Sequence, residues 1–101
     1  MGIMPDDKPS IRTIHVRIEG RVQGVYYRAW AKENADQLGL DGWVRNRADG
    51  SVEAVFSGPQ EAVAEMLARC QRGPRDASVE AVHVLHEGGS VTAGFEIRPT
   101  A

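Results

Sequence analysis

From Arg12 to Glu19 apolar and polar residues alternate. Ile14, Val16 and Ile18 fall on one side and Thr13, His15, Arg17 and Glu19 on the other, the period of two that a strand with one buried face requires. The period then changes. Tyr27, Trp30, Ala31, Ala35 and Leu38 share one face of a helix running to about Leu38, with Lys32, Glu33, Asp36 and Gln37 opposite, and Gly39 followed by Leu40 ends it as a Schellman-type cap. Two β-prone runs, Gly42–Arg47 and Ser51–Phe56, flank Ala48-Asp49-Gly50, a turn whose glycine accepts a positive φ, and so predict a hairpin. Pro59 suits the first turn of a second helix with Gly58 as its cap. Ala62, Val63, Met66, Leu67 and Cys70 form its buried stripe, and Gly73-Pro74 ends it. A second long strand spans Ser78 to His86, Gly88-Gly89-Ser90 breaks it, and Phe95-Glu96-Ile97 alternates again as a short final strand or edge piece.

The order β-α-β-β-α-β plus a short C-terminal strand predicts an α+β fold, a split βαβ sandwich with two helices on one face of a mostly antiparallel sheet. His15, Arg17, Trp43, Arg45 and Glu53 are then candidates for the other face, expected to be partly open to water. No internal repeat or linker divides the chain. We expect a flexible tail over residues 1–11 and one domain over 12–99.

Composition narrows the classes of function. With 101 residues, 42% apolar and 26% charged, the chain has the make-up of an ordinary single globular domain. A formal net charge of -2 supplies no global field to gather nucleic acid or anionic lipid, so any anion site must be a local concentration of donors, for which Arg21, Arg28, Arg45 and Arg47 are available. One cysteine, Cys70, permits neither an internal disulfide framework nor a thiolate cluster. With no secretion-like apolar run at the start and nothing approaching the roughly 20 apolar residues that cross a bilayer, a cytoplasmic monomer without membrane or nucleic-acid partners is expected. Of the three histidines, His83 and His86 are three apart on a strand and point to opposite faces, so no metal site is expected.

The candidate chemistry lies at Gly20-Arg21-Val22-Gln23-Gly24-Val25-Tyr26-Tyr27-Arg28, between the first strand and the first helix. Two glycines let backbone N–H groups converge, and the helix adds its unpaired N–H groups and positive dipole end. Arg28 places a guanidinium beside that nest, able to bond two oxygens of one phosphoryl group. The same kind of connection also occurs where nothing is bound. It matches neither the Gly-Lys-Ser/Thr end of a nucleotide-triphosphate loop nor the three-glycine dinucleotide fingerprint. Asn46, on the hairpin strand, has two readings. Its amide can hold a water with a lone pair aimed at a bound phosphorus, or it can cap the turn before Asp49-Gly50.

Gly20-Arg-Val-Gln-Gly-Val-Tyr-Tyr-Arg28, Leu38-Gly-Leu-Asp-Gly-Trp-Val-Arg-Asn46 and Asp49-Gly-Ser-Val-Glu53, in this order, resemble the acylphosphatase family over residues 12–99. The resemblance implies a ferredoxin-like fold, hydrolysis of small acyl phosphates, and no metal or organic cofactor. By position it implies a phosphate-binding loop formed by Arg21, Val22, Gln23, Gly24, Val25, Tyr26, Tyr27 and Arg28, with Arg28 as the essential phosphate-holding arginine and Asn46 as the water-orienting asparagine. Arg47 stands where many relatives have Thr, a change at the rim that bears on substrate preference. Tyr26 and Tyr27 stand where Phe is frequent, and are expected to pack with a polar tip.

The motifs suit that chemistry. Neither supplies an obvious general acid, which favours a leaving group that departs unprotonated, and a carboxylate whose conjugate acid has a pKa of about 4 meets the condition. Neither supplies an obvious base, so the substrate's own phosphate oxygen is the expected acceptor of the water proton. Alternatives are a module that binds phosphate or acyl phosphate without turnover, and an accessory domain of a carbamoyl-transfer system. An RNA-recognition domain of the same element order is disfavoured by Glu53 in mid-strand, where an aromatic is wanted.

Overall fold

Alternation in the first strand does what its pattern requires: Ile14, Val16 and Ile18 are fully buried and face the helices. The computed structural model describes residues 10–101. Most of the tail expected over residues 1–11 therefore lies outside the described residues, while Ile11, within that range, already belongs to a strand. The elements are β1 (Ile11–Arg21), α1 (Tyr27–Gln37), β2 (Asp41–Asn46), β3 (Val52–Pro59), α2 (Gln60–Arg72), β4 (Ser78–Glu87) and β5 (Phe95–Ile97). They form one five-stranded sheet of order β4-β1-β3-β2-β5, antiparallel except that β5 joins the edge parallel to β2. This is the expected split βαβ sandwich, with the short C-terminal strand paired at an edge.

Its core lies between the sheet and the helices. Val44, Val52, Ala54 and Phe56 from the sheet meet Tyr27, Ala31 and Ala35 of α1 and Val63, Met66 and Cys70 of α2. Leu40 N–H donates to Ala35 O and Gly39 N–H to Asp36 O, with Gly39 at φ 69°, which is the Schellman closure read from Gly39-Leu40.

Four local expectations need correction. A register shift in β4 pairs His83 with Arg17 and His86 with His15, so the two histidines lie on one face of the sheet rather than on opposite faces. β1 continues past Glu19, because a register shift lets Gly20 and Arg21 pair with Val79 and Ser78 of β4. Pro59 is the last residue of β3 and the N-cap of α2, not a residue of its first turn, since its ψ of 140° keeps it extended opposite Ile11. Gly58 accordingly sits in the strand, where a Cβ would lie 2.6 Å from Leu40 Cδ2. On the sheet face away from the helices, Glu53 is buried rather than open to water. The side chains of His15, Arg45 and Arg47 close over its carboxylate.

Candidate active site

The loop from Val22 to Tyr26 is pinned by pegs of its own. Val22 and Val25 are buried in the core, while Gly24, at φ 74° with open space around it, turns the backbone between them. Tyr26 then adopts a left-handed conformation, φ 71° and ψ 18°, unique among the described non-glycine residues. A bulky residue is held there only by its surroundings. That kink sends the neighbouring tyrosines opposite ways. Tyr27 packs in the core and donates from its hydroxyl to Cys70 O at 2.8 Å, and desolvation drives its phenol pKa strongly upward. Tyr26 does not pack as expected. It is 62% exposed, with its hydroxyl donating to Glu33 Oε2 at 2.7 Å, a hydrogen bond that raises its pKa.

Helix α1 starts directly after Tyr26 with no side chain capping its N-terminus and no acidic residue in its first turn. Its first donation into the helix is Trp30 N–H to Tyr26 O, so the preceding amides keep their donors and the dipole end is unneutralised. Arg28, in that first turn, is half-buried and forms no ion pair among the described residues. Arg12, Arg17, Arg45, Arg47, Arg69 and Arg98 are all paired with carboxylates.

Asn46 approaches from the other side. It ends β2 on the helix-facing side of the sheet, in register with Val52. Its Oδ1 is buried and finds no hydrogen-bond partner among the described residues. The hairpin does not use Asn46 as a turn cap. Asp49 Oδ1 serves there, accepting from Ser51 N–H at 2.9 Å and Ser51 Oγ at 2.6 Å, and these bonds hold the Asp49 carboxyl below the usual range. Arg28 and Asn46 line one cavity of about 280 Å³, with Val22, Gln23, Gly24, Tyr26, Tyr27, Ala29 and Ile97.

Of the loop residues singled out from sequence, Arg21 and Val25 do not line this cavity: Arg21 is exposed at the end of β1 and Val25 is a core peg. Ile97 does line it and had not been singled out. The signal was present, since Phe95 and Ile97 alternate onto the helix-facing side with Asn46.

The sequence profile of the acylphosphatase family matches residues 14–97. The chain belongs to the acylphosphatase family. It is 51% identical to an acylphosphatase of Rhizorhabdus wittichii over 94 residues, covering 93% of this chain and 95% of that one. With an acylphosphatase of Rhodospirillum rubrum the identity is 50% over 90 residues, 89% of this chain and 99% of the relative. The solved acylphosphatase of Coxiella burnetii superposes with a TM-score of 0.84 at 31% identity, covering 95% of this chain and all of that one. Membership makes this chain a hydrolase of acyl phosphates.

For an acylphosphatase, an anion site with unspent donors is the feature to look for, and size alone would mislead. A larger hollow, of about 430 Å³, lies across β5 against Trp43, Glu96, Arg98 and the segment from Ser90 to Gly94. Its guanidinium, Arg98, is already bonded to Glu96 Oε2 at 2.6 Å and lies over the Trp43 ring. Among the described residues no group of three His, Cys, Asp or Glu side chains is placed to hold a metal, and no helix is long and apolar enough to cross a membrane.

Proposed function

We propose that this acylphosphatase holds the phosphoryl group of its substrate on Arg28 and the amides at the start of α1, with Asn46 orienting the water that attacks phosphorus in line. One observation carries the assignment: a guanidinium and a buried carboxamide oxygen, both without partners among the described residues, line the same cavity at an uncapped helix N-terminus. Asn46 Oδ1 accepts a hydrogen bond from the water, which aims a water lone pair at phosphorus. As the water oxygen bonds to phosphorus, the phosphorus–oxygen bond to the acyl group breaks and its electron pair leaves on the carboxylate. The water proton passes to a phosphoryl oxygen. No protein acid is required, because a carboxylate leaves unprotonated at neutral pH. Fixed donors around the equatorial oxygens supply the rest. We further assign the enzyme to a reducing, cytoplasmic setting, in keeping with its single, buried, free thiol at Cys70.

Benzoyl phosphate hydrolysis tests this reading. By analogy with the loss of one preorganised oxyanion donor, which costs about 3 kcal/mol of transition-state stabilisation, Asn46→Ala lowers kcat by at least about a hundredfold with KM little changed. Arg28→Ala damages both constants, and a chelator changes neither. Near-normal turnover by folded Asn46→Ala defeats the assignment.

A further inference from the structure

Arg28 and Asn46 stand on parts of the fold that share no ladder of hydrogen bonds. The loop follows β1, Asn46 ends β2, and β3 lies between those strands in the sheet. Among the described residues one side chain bonds across that gap. Gln23 Nε2 donates to Arg47 O and to Ser51 O, each at 2.8 Å. These two carbonyls are the mouth of the hairpin: Ser51 O also accepts from Arg47 N–H at 2.9 Å, and Arg47 O from Gly50 N–H at 3.1 Å. Arg47 is the residue after Asn46. The half-buried carboxamide of Gln23 thus ties the chain segment carrying Arg28 to the strand end carrying Asn46, and both of its donors are spent on the tie.

We infer that Gln23 is a positioning residue, whose side-chain NH2 sets the separation between the phosphate cradle and the water-orienting carboxamide and does not bind phosphate. This rests on the roles proposed for Arg28 and Asn46. Its requirement is two donors facing two carbonyl oxygens. A carboxylate of the same size would set negative oxygen against both carbonyls, and only its protonated form restores a donor.

The test compares Gln23→Glu and Gln23→Met with the parent enzyme on benzoyl phosphate between pH 5 and 8, with circular dichroism to confirm folding. A displacement of about 1 Å in a reacting geometry costs on the order of a hundredfold in rate, so kcat falls about ten- to a hundredfold in both variants at pH 7.5, while KM moves less than about threefold. Lowering the pH restores several-fold of the loss in Gln23→Glu and none in Gln23→Met, a recovery that simple damage to the fold does not produce. In the Gln23→Glu/Asn46→Ala double variant kcat is no lower than in Asn46→Ala alone, because nothing remains to be positioned. Should either single variant fail to fold, Gln23→Asn, which keeps the NH2 one methylene short, carries the test with the same expected kcat loss at steady KM. Variants retaining kcat within twofold overturn the inference while leaving Asn46 untouched. A loss confined to KM overturns it too, since that makes Gln23 a phosphate ligand. Near-normal Asn46→Ala beside a pH-recoverable Gln23→Glu overturns the role of Asn46 and, with it, the target assigned to the tie.

Discussion

Glu53→Gln isolates the charge buried on the sheet face away from the helices. The carboxylate is 4% exposed; Oε1 accepts from Arg45 Nε at 2.8 Å and lies 3.4 Å from Arg47 Nη1, while Oε2 meets His15 Nε2 at 2.5 Å. Gln keeps the shape but removes the charge and turns an NH2 toward one of these donors. Removing one partner of a fully buried pair costs about 3–5 kcal/mol. Here the groups left behind are about one-third exposed and regain water, so the loss falls to about 2 kcal/mol. For a domain of this size that lowers Tm by about 10 °C. The sign of the pH dependence follows from the direction of the shift. Burial pushes the Glu53 pKa up, but hydrogen bonds from Arg45 and His15 outweigh it and hold the group below its ordinary value. A depressed carboxyl stabilises the fold above its unfolded pKa of about 4.3, and that stability disappears as pH falls through the folded value. Thermal unfolding followed by circular dichroism should therefore show a gap between parent and Glu53→Gln that is full at pH 7 and closes below about pH 4. A gap under about 0.5 kcal/mol at pH 7, or one undiminished at pH 3, would refute the reasoning.

Gly42→Ala should lose at least about 3 kcal/mol, read as a fall in the urea midpoint, because the backbone there has φ 135° and a Cβ would lie 1.9 Å from Val55 O. A midpoint within error of the parent would mean that β2 and β3 are not packed at that distance. Cys70 is fully buried, and burial pushes its thiol up to about 12. A disulfide reagent at pH 8 should thus label native protein at least about a thousandfold more slowly than protein in urea. Fast native labelling would show that the α1–α2 contact opens readily.

How much was legible beforehand depended on the range of the signal. Strand and helix periods, the Schellman glycine and the loop glycine are decided by a residue and its immediate neighbours, and each matched its place in the structure. Arg28 and Asn46 stood out because their side chains have uncommon chemistry beside recognisable backbone signals, and β1-β3-β2 adjacency then carries them to one cavity. Tyr26 misled because a single left-handed residue reverses which of two adjacent rings enters the core, and no pattern in Tyr26-Tyr27 announces it. Glu53 misled for a different reason. Alternation says which face a residue occupies, but its burial depends on how far His15, Arg45 and Arg47 reach across from other positions. Gln23 is the extreme case. Its partners are two backbone carbonyls, which every residue possesses, so nothing in the composition of positions 47 or 51 marks them as its targets. Groups that meet substrate are chosen for side-chain chemistry and leave a mark in the sequence, whereas a group that sets their spacing can do so through the main chain and leaves almost none.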